Sequence, residues 1–354
     1  MMMGCYFIDR PGCLRRGEQA RPSVGPGQVL IETEAVTICA TDVAYWRGEA
    51  TPPHWPIVPG HEYVGRIVES RVEGADTRVG ARVSYWGQTD FFGLAEYRLI
   101  SPVRCIEDED RFYTDRHFMD DRGAAVALID ESIPSHVAPL VEPLTAVLRL
   151  LLAHRPRSGE RTVVLGAGTC GLLAVQALPT FGVGETLVLE VCPYRRELAR
   201  LCGAAAAYHP IADAAEIDEL EYSTHGSRAD LVIDLLPDIA GRAEACARTQ
   251  AMRLLRPGGR YLIFGAPERP QPLDHWLVLA KGLSIHAAGF DIRQFPMWRT
   301  AEAMRSAVEM IRSGNVDATR LVTHVERFED EPAVSRAFHE HGREGRMKTA
   351  IRLN

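Results

Sequence analysis

The chain has 354 residues, 46% of them apolar and 25% charged, with a formal net charge of −7. That length supports two domains with well-buried cores, and the composition is ordinary for a soluble protein. The acidic balance argues against non-specific nucleic-acid or anionic-membrane binding; no apolar run approaches the ~20 residues of a membrane span, and Met1 to Tyr6 lacks a signal-peptide pattern.

Period-two strands open the chain. Gln28 to Val36 and Tyr63 to Glu69 alternate in this way, punctuated by Gly25-Pro26-Gly27, Pro52-Pro53, Pro56 and Pro59-Gly60, which marks a small β-rich domain. Thr37-Ile38-Cys39-Ala40-Thr41-Asp42 lies between the two strands, and Gly60-His61-Glu62 directly precedes the second. A thiolate, an imidazole and a carboxylate at the mouths of adjacent turns suit zinc, and a catalytic zinc needs three protein ligands and one open position. Cys39 and His61 are two candidates; Glu62 or Glu142, the latter in Leu140-Val141-Glu142-Pro143-Leu144, is the third. Taken singly, each has a plainer role as a core thiol, a turn histidine or a helix N-terminal acid.

The eight cysteines, at 5, 13, 39, 105, 170, 192, 202 and 246, never form C-x-x-C. They make neither a disulfide framework nor a structural zinc cluster, so a reducing cytoplasm is expected.

A dinucleotide site is expected further on. Val163 to Leu165, glycines at 166, 168 and 171 and the helix formers from Leu172 read as strand, tight turn and helix N-terminus. The turn, with Thr169 and Cys170 between its glycines, would hold a pyrophosphate against helix N–H groups. Glu190 follows Gly171 by 19 positions, after the strand Thr186 to Leu189, close to the ~20-residue spacing at which an acid meets the adenosine ribose diol and favours NAD over NADP. Should NADPH be preferred instead, Arg195 and Arg196 are the expected phosphate partners. Further apolar runs at Asp230 to Asp234 and Arg260 to Gly265 alternate with helical stretches, which implies a parallel sheet covered on both faces.

Cys39-Ala40-Thr41-Asp42, Gly60-His61-Glu62, Gly93-Leu94-Ala95-Glu96-Tyr97, Glu142-Pro143-Leu144, Gly166 to Gly171 and Thr323-His324, in this order, resemble the zinc-dependent medium-chain dehydrogenase/reductase family. Glu142-Pro143-Leu144 and Tyr45-Trp46 lean toward its sorbitol and threonine dehydrogenase branch. The resemblance implies an α/β fold with a GroES-like β-barrel catalytic domain over 1 to about 150 and 291 to 354, and a doubly wound Rossmann domain over about 151 to 290. It also implies an active site in the cleft between them and a homodimer or homotetramer. Ala301 to Gly314 reads as a helix and Lys348 to Leu353 as a closing strand.

Three departures stand out. Ser84 to Phe92 carries no cysteine where most relatives hold four for a structural zinc, so none is expected, and aromatic packing could stabilise the shortened lobe. Residues 104 to 122 form a charged insertion, expected to be a solvated excursion or else a subunit contact or cleft wall. Thr41 keeps the hydroxyl that touches the substrate oxygen in the family, but position 44, where relatives carry a relay histidine, is alanine. The proton must then leave through water, a cofactor ribose hydroxyl, Tyr45 or His54.

The expected function is transfer of hydride between NAD and a small secondary alcohol or ketone, a polyol, cyclitol or amino-substituted relative. Tyr45, Trp46, His54, Trp55 and Phe290 are candidate pocket residues, and Asp42 is expected to hold His61 or its turn. Two alternatives remain: a zinc-free NADPH-dependent reductase or cyclase, and a non-catalytic dinucleotide-binding protein on the same fold.

Overall fold

The computed structural model describes residues 1–52, 54–87, 92–103, 123–237, 242–265, 269–287 and 294–353. The charged insertion and Phe290 lie outside them. By its contacts the chain divides into two units. One comprises Met1–Ala146, Gly289–Gly314 and Ala318–Asn354, the other Val147–Ala288 and Asn315–Asp317.

The first unit opens with an antiparallel hairpin of β1 (Met2–Arg10) and β2 (Cys13–Ala20). Its main sheet uses β3 (Val29–Thr37), β4 (Glu62–Ser70), β5 (Arg82–Gly87), β6 (Tyr97–Pro102) and β7 (Gly123–Leu128). These five pair in the order β3-β4-β5-β7-β6, and β6 returns to pair with Val29 to Glu32 of β3. The sheet therefore closes on itself as a barrel. Closure leaves the other end of β3 free, and Ala35 to Thr37 pair with the late strand Lys348–Arg352. Alternation explains the inside: along β3, Ile31, Thr33 and Ala35 are buried, while Glu32 and Glu34 are only half-buried. The barrel core gathers Tyr6, Ile31, Val36, Tyr63, Ile67, Val83, Tyr85 and Ile100. Tyr63 and Tyr85 meet edge to face at 4.4 Å between ring centroids, and Arg98 lies over both Tyr85 and Phe92. Residues 88–91 of the lobe after β5 lie outside the described residues.

The second unit is built on β8 (Arg161–Leu165), β9 (Glu185–Leu189), β10 (Ala206–Tyr208), β11 (Ala229–Asp234), β12 (Leu255–Ile263) and β13 (Ser284–Ala287). All five pairings are parallel, in the order β10-β9-β8-β11-β12-β13. This is the doubly wound order, with the chain reversing direction across the sheet between β8 and β11. Strands β14 (Val322–Arg327) and β15 (Lys348–Arg352) belong to the first unit, where β14 runs parallel to β15.

Helices among the described residues are α1 (Ala40–Arg47), α2 (Val141–His154), α3 (Thr169–Ala177), α4 (Pro193–Leu201), α5 (Ala214–Ser223), α6 (Arg242–Leu254), α7 (His275–Lys281), α8 (Met297–Arg312) and α9 (Glu331–His339). None is long and apolar enough to cross a membrane.

Candidate functional site

Cys39 caps the N-terminus of α1 with extended dihedrals, φ −93° and ψ 157°. Its N–H donates to Asp42 Oδ2 at 2.9 Å, and the N–H of Gly60 donates to Asp42 Oδ1 at 2.8 Å. One buried carboxylate therefore stitches together the two turns that carry Cys39 and His61. Asp42 Oδ1 also lies 3.7 Å from His61 Nδ1. Burial alone would raise the Asp42 pKa, but the His61 charge and the two N–H donors outweigh it and hold the carboxyl below its usual range. At His61 burial pulls the pKa down, yet the facing Cys39 sulfur and Asp42 carboxylate raise it well above an ordinary histidine.

Glu62 begins β4 and is 1% exposed. Thr37 Oγ1, its register partner on β3, donates to Oε2, and Lys348 Nζ, on β15, lies 2.7 Å from Oε1. Lys348 is itself 2% exposed, which makes this a buried ion pair. The pattern of the sequence did not single Lys348 out. Its one local signal is a lysine opening an otherwise core-facing closing strand.

The Cys39 sulfur, a His61 ring nitrogen and a Glu62 carboxylate oxygen all lie within 4.8 Å of one another. Sulfur, nitrogen and oxygen donors converging in this way fit a zinc ion. Glu142, in the first turn of α2, is buried nearby but outside that trio. Burial, with Glu62 and Asp42 adding to it against His61 and Lys348, pushes its carboxyl up to about 7.

The neighbouring side chains separate. Thr41 is exposed, with Oγ1 3.8 Å from Cys39 Sγ. Tyr45 is half-buried and packs against the barrel core. Trp46 is buried in that core, with its ring centroid 6.3 Å from that of Phe338 and 4.4 Å from that of His339. His54 and Trp55 are exposed, and His54 Nδ1 sits 2.9 Å from the Pro56 carbonyl.

In the second unit the glycine turn has three distinct local demands. Gly166 sits at φ +88°, a left-handed conformation that suits glycine. A Cβ on Gly168 would meet nothing within 4 Å, whereas one on Gly171 would fall 2.0 Å from the Gly166 carbonyl oxygen. Gly168 caps α3, and Thr169 and Cys170 form its half-buried first turn. Glu190, at the end of β9, turns its carboxylate back on this structure. Oε2 accepts from the N–H of Ala167 at 2.7 Å and Oε1 from that of Cys192 at 2.8 Å. Arg195 is half-buried in the first turn of α4, and Arg196 donates to the carbonyls of Glu190 and Val191.

Two family profiles match this chain: the alcohol dehydrogenase GroES-like domain over residues 25–105 and the zinc-binding dehydrogenase domain over residues 169–310. The chain belongs to the zinc-type medium-chain dehydrogenase family. Among relatives, an L-threonine 3-dehydrogenase of Caldanaerobacter subterraneus subsp. tengcongensis is 27% identical, with 86% of each chain covered. A sorbitol dehydrogenase of Bacillus subtilis is 26% identical over 90% of this chain and 88% of its own. The structure of a galactitol-1-phosphate dehydrogenase from Escherichia coli superposes with a TM-score of 0.78 at 18% identity, covering 99% of this chain and 100% of that one, a likeness of fold. The protein is thus an enzyme of the alcohol dehydrogenase family, with a GroES-like barrel and a Rossmann sheet.

Proposed function

We propose that this dehydrogenase moves hydride between NAD and a small secondary alcohol or ketone, of the polyol, cyclitol or amino-substituted class. The convergence of Cys39, His61 and Glu62 donors within 4.8 Å carries the reading. Zinc held by Cys39, His61 and either Glu62 or Glu142 would supply Lewis acidity toward the substrate oxygen.

The remaining work falls to the chain's own groups. Asp42 fixes both ligand turns and keeps the His61 ring oriented. The Thr41 hydroxyl, exposed beside Cys39, receives the substrate proton. With Ala44 behind it, that proton leaves through water, a ribose hydroxyl, Tyr45 or His54 rather than through a side chain at position 44. In the second unit Gly166, Gly168 and Gly171 let the pyrophosphate reach the N–H groups of Thr169 and Cys170 at the start of α3. Glu190, already anchored by Ala167 and Cys192, presents its remaining lone pairs to the adenosine ribose, and Arg195 flanks it.

Metal analysis and a substrate screen test this. Active enzyme should carry about one zinc per chain, and polyols, amino-cyclitols or β-hydroxy amino acids should drive NAD reduction faster than NADP reduction. Full activity in zinc-free protein, or tighter binding of NADPH than NADH, would sink the corresponding half of the proposal.

A further inference from the structure

The carboxyl ends of β8 and β11 flank the point at which the second unit's strand order reverses, where an open parallel sheet offers its ligand crevice. Asp234, the last residue of β11, stands there 3% exposed, paired in register with Leu165. Its Oδ2 accepts from Tyr261 Oη at 2.8 Å and from Arg248 Nε at 2.6 Å, and its Oδ1 accepts from the N–H of Leu236 at 3.0 Å. Its carbonyl takes the N–H groups of Phe264 and Gly265, at the end of β12. One residue thereby fixes the Leu235-Leu236 turn on one side and the exit of β12 on the other.

That turn is the wall behind the glycine turn. A Cβ on Gly166 would lie 3.2 Å from Leu236 Cδ2 and 3.7 Å from the Leu235 carbonyl oxygen, and Leu235 donates its N–H to Leu165. Gly265 closes the arrangement: a Cβ there would fall 2.0 Å from the Leu236 carbonyl oxygen. The Arg248 guanidinium is neutralised by Asp234 and has a second partner in Gln271 Oε1 at 2.8 Å. The network therefore holds a wall in place; it does not offer a free cation to an anion.

We infer that Asp234, braced by Arg248 and Tyr261, is a positioning residue for dinucleotide binding that seats Leu236 against Gly166 so that the glycine turn keeps its phosphate-accepting shape. The inference rests on the dinucleotide reading above.

Asp234→Ala alone would strand a buried guanidinium and Arg248→Met alone a buried carboxylate, so the reference protein is Asp234→Asn/Arg248→Met, in which the neutral amide oxygen can still accept from the N–H of Leu236. The double variant Asp234→Ala/Arg248→Met loses the Leu236 anchor as well. In NADH fluorescence titrations it should bind about tenfold more weakly than Asp234→Asn/Arg248→Met, the loss expected for one buried hydrogen bond. Gly265→Ala displaces the same turn from the other side without touching a charge, and it should also weaken NADH binding while leaving zinc content intact. Equal affinity in the two Arg248→Met proteins, or wild-type affinity in folded Gly265→Ala, overturns the inference. Wild-type protein that binds neither NADH nor NADPH overturns the dinucleotide reading instead, and the inference with it.

Discussion

The three glycines of the turn should fail in three different ways when each is replaced by alanine. At Gly171 the new methyl carbon would lie 2.0 Å from the Gly166 carbonyl oxygen, about 1 Å inside the 3.0 Å that real contacts respect. Both partners are backbone, so no side-chain rotation relieves the overlap. Overpacking costs ~1–3 kcal/mol, and this rigid contact belongs at the upper end, about 3 kcal/mol. At ~2–4 °C per kcal/mol for a folding unit of about 150 residues, the melting temperature of the second unit should fall by roughly 6–12 °C. Gly168 has φ −69° and open space where its methyl would go, so Gly168→Ala costs only the N-cap preference, less than about 1 kcal/mol. Its methyl instead occupies the approach of the phosphates, and NADH affinity should drop about tenfold or more. Gly166→Ala must hold φ +88°, a strain of ~1–2 kcal/mol, against a Leu236 side chain that can move aside. Thermal melts by circular dichroism, paired with NADH titrations, separate the three. Equal melting losses at Gly168 and Gly171, or wild-type NADH affinity in Gly168→Ala, would refute the reasoning.

Other consequences follow from the first unit. Cys39→Ser and His61→Ala should each lower bound zinc, measured by mass spectrometry of the purified protein, with little change in NADH affinity. Lys348→Met leaves the Glu62 charge buried and unpaired, at a cost of about 3–5 kcal/mol by urea denaturation. Adding Glu62→Gln should recover much of that loss, and a double variant no more stable than the single one would contradict the pairing. The metal-free protein should lose stability as pH rises from about 4.5 to about 7, because Glu142 holds its proton to about 7 when folded and only to its ordinary value of 4.5 when unfolded. The native chain binds the extra proton in that window, so this contribution is complete below pH 4.5 and gone above pH 7, a total on the order of 3 kcal/mol. Glu142→Gln should flatten the pH dependence of urea stability; an unchanged slope would place the titration elsewhere.

What the sequence made legible is what a short stretch of backbone demands by itself. The spacing of Gly166, Gly168 and Gly171 encodes a left-handed turn, an open approach and a helix pressed on a strand, and each demand reappears in the fold. Runs such as Thr186 to Leu189 and Asp230 to Asp234 became parallel strands because β-branched and leucine side chains can be buried on both faces. Side chains whose partners lie far along the chain were harder to read. Trp46 reads equally well as pocket or core, and only Phe338 and His339, nearly three hundred residues later, decide for core. Asp234 reads as the polar end of a strand until Arg248 and Tyr261 arrive beside it.

Glu62 shows why such partners matter to the chemistry. Its position after His61 makes it a candidate ligand on local grounds. Folded, it joins three strands: Thr37 of β3 and Lys348 of β15 both hold its carboxylate on β4. A metal that took an oxygen from Glu62 would have to compete with a buried ammonium for it. Release of that oxygen would loosen the tie that fastens β15 to the barrel. Glu142, whose carboxyl burial pushes up to about 7, has no hydrogen bond of that kind among the described residues to surrender to the ion, though it must lose its proton. Glu142→Gln and Glu62→Gln, compared for zinc affinity by chelator competition in otherwise wild-type protein, therefore discriminate. If Glu142 is the direct third ligand, its variant loses zinc by about tenfold or more relative to Glu62→Gln, and the reverse order would make the ion strong enough to displace Lys348.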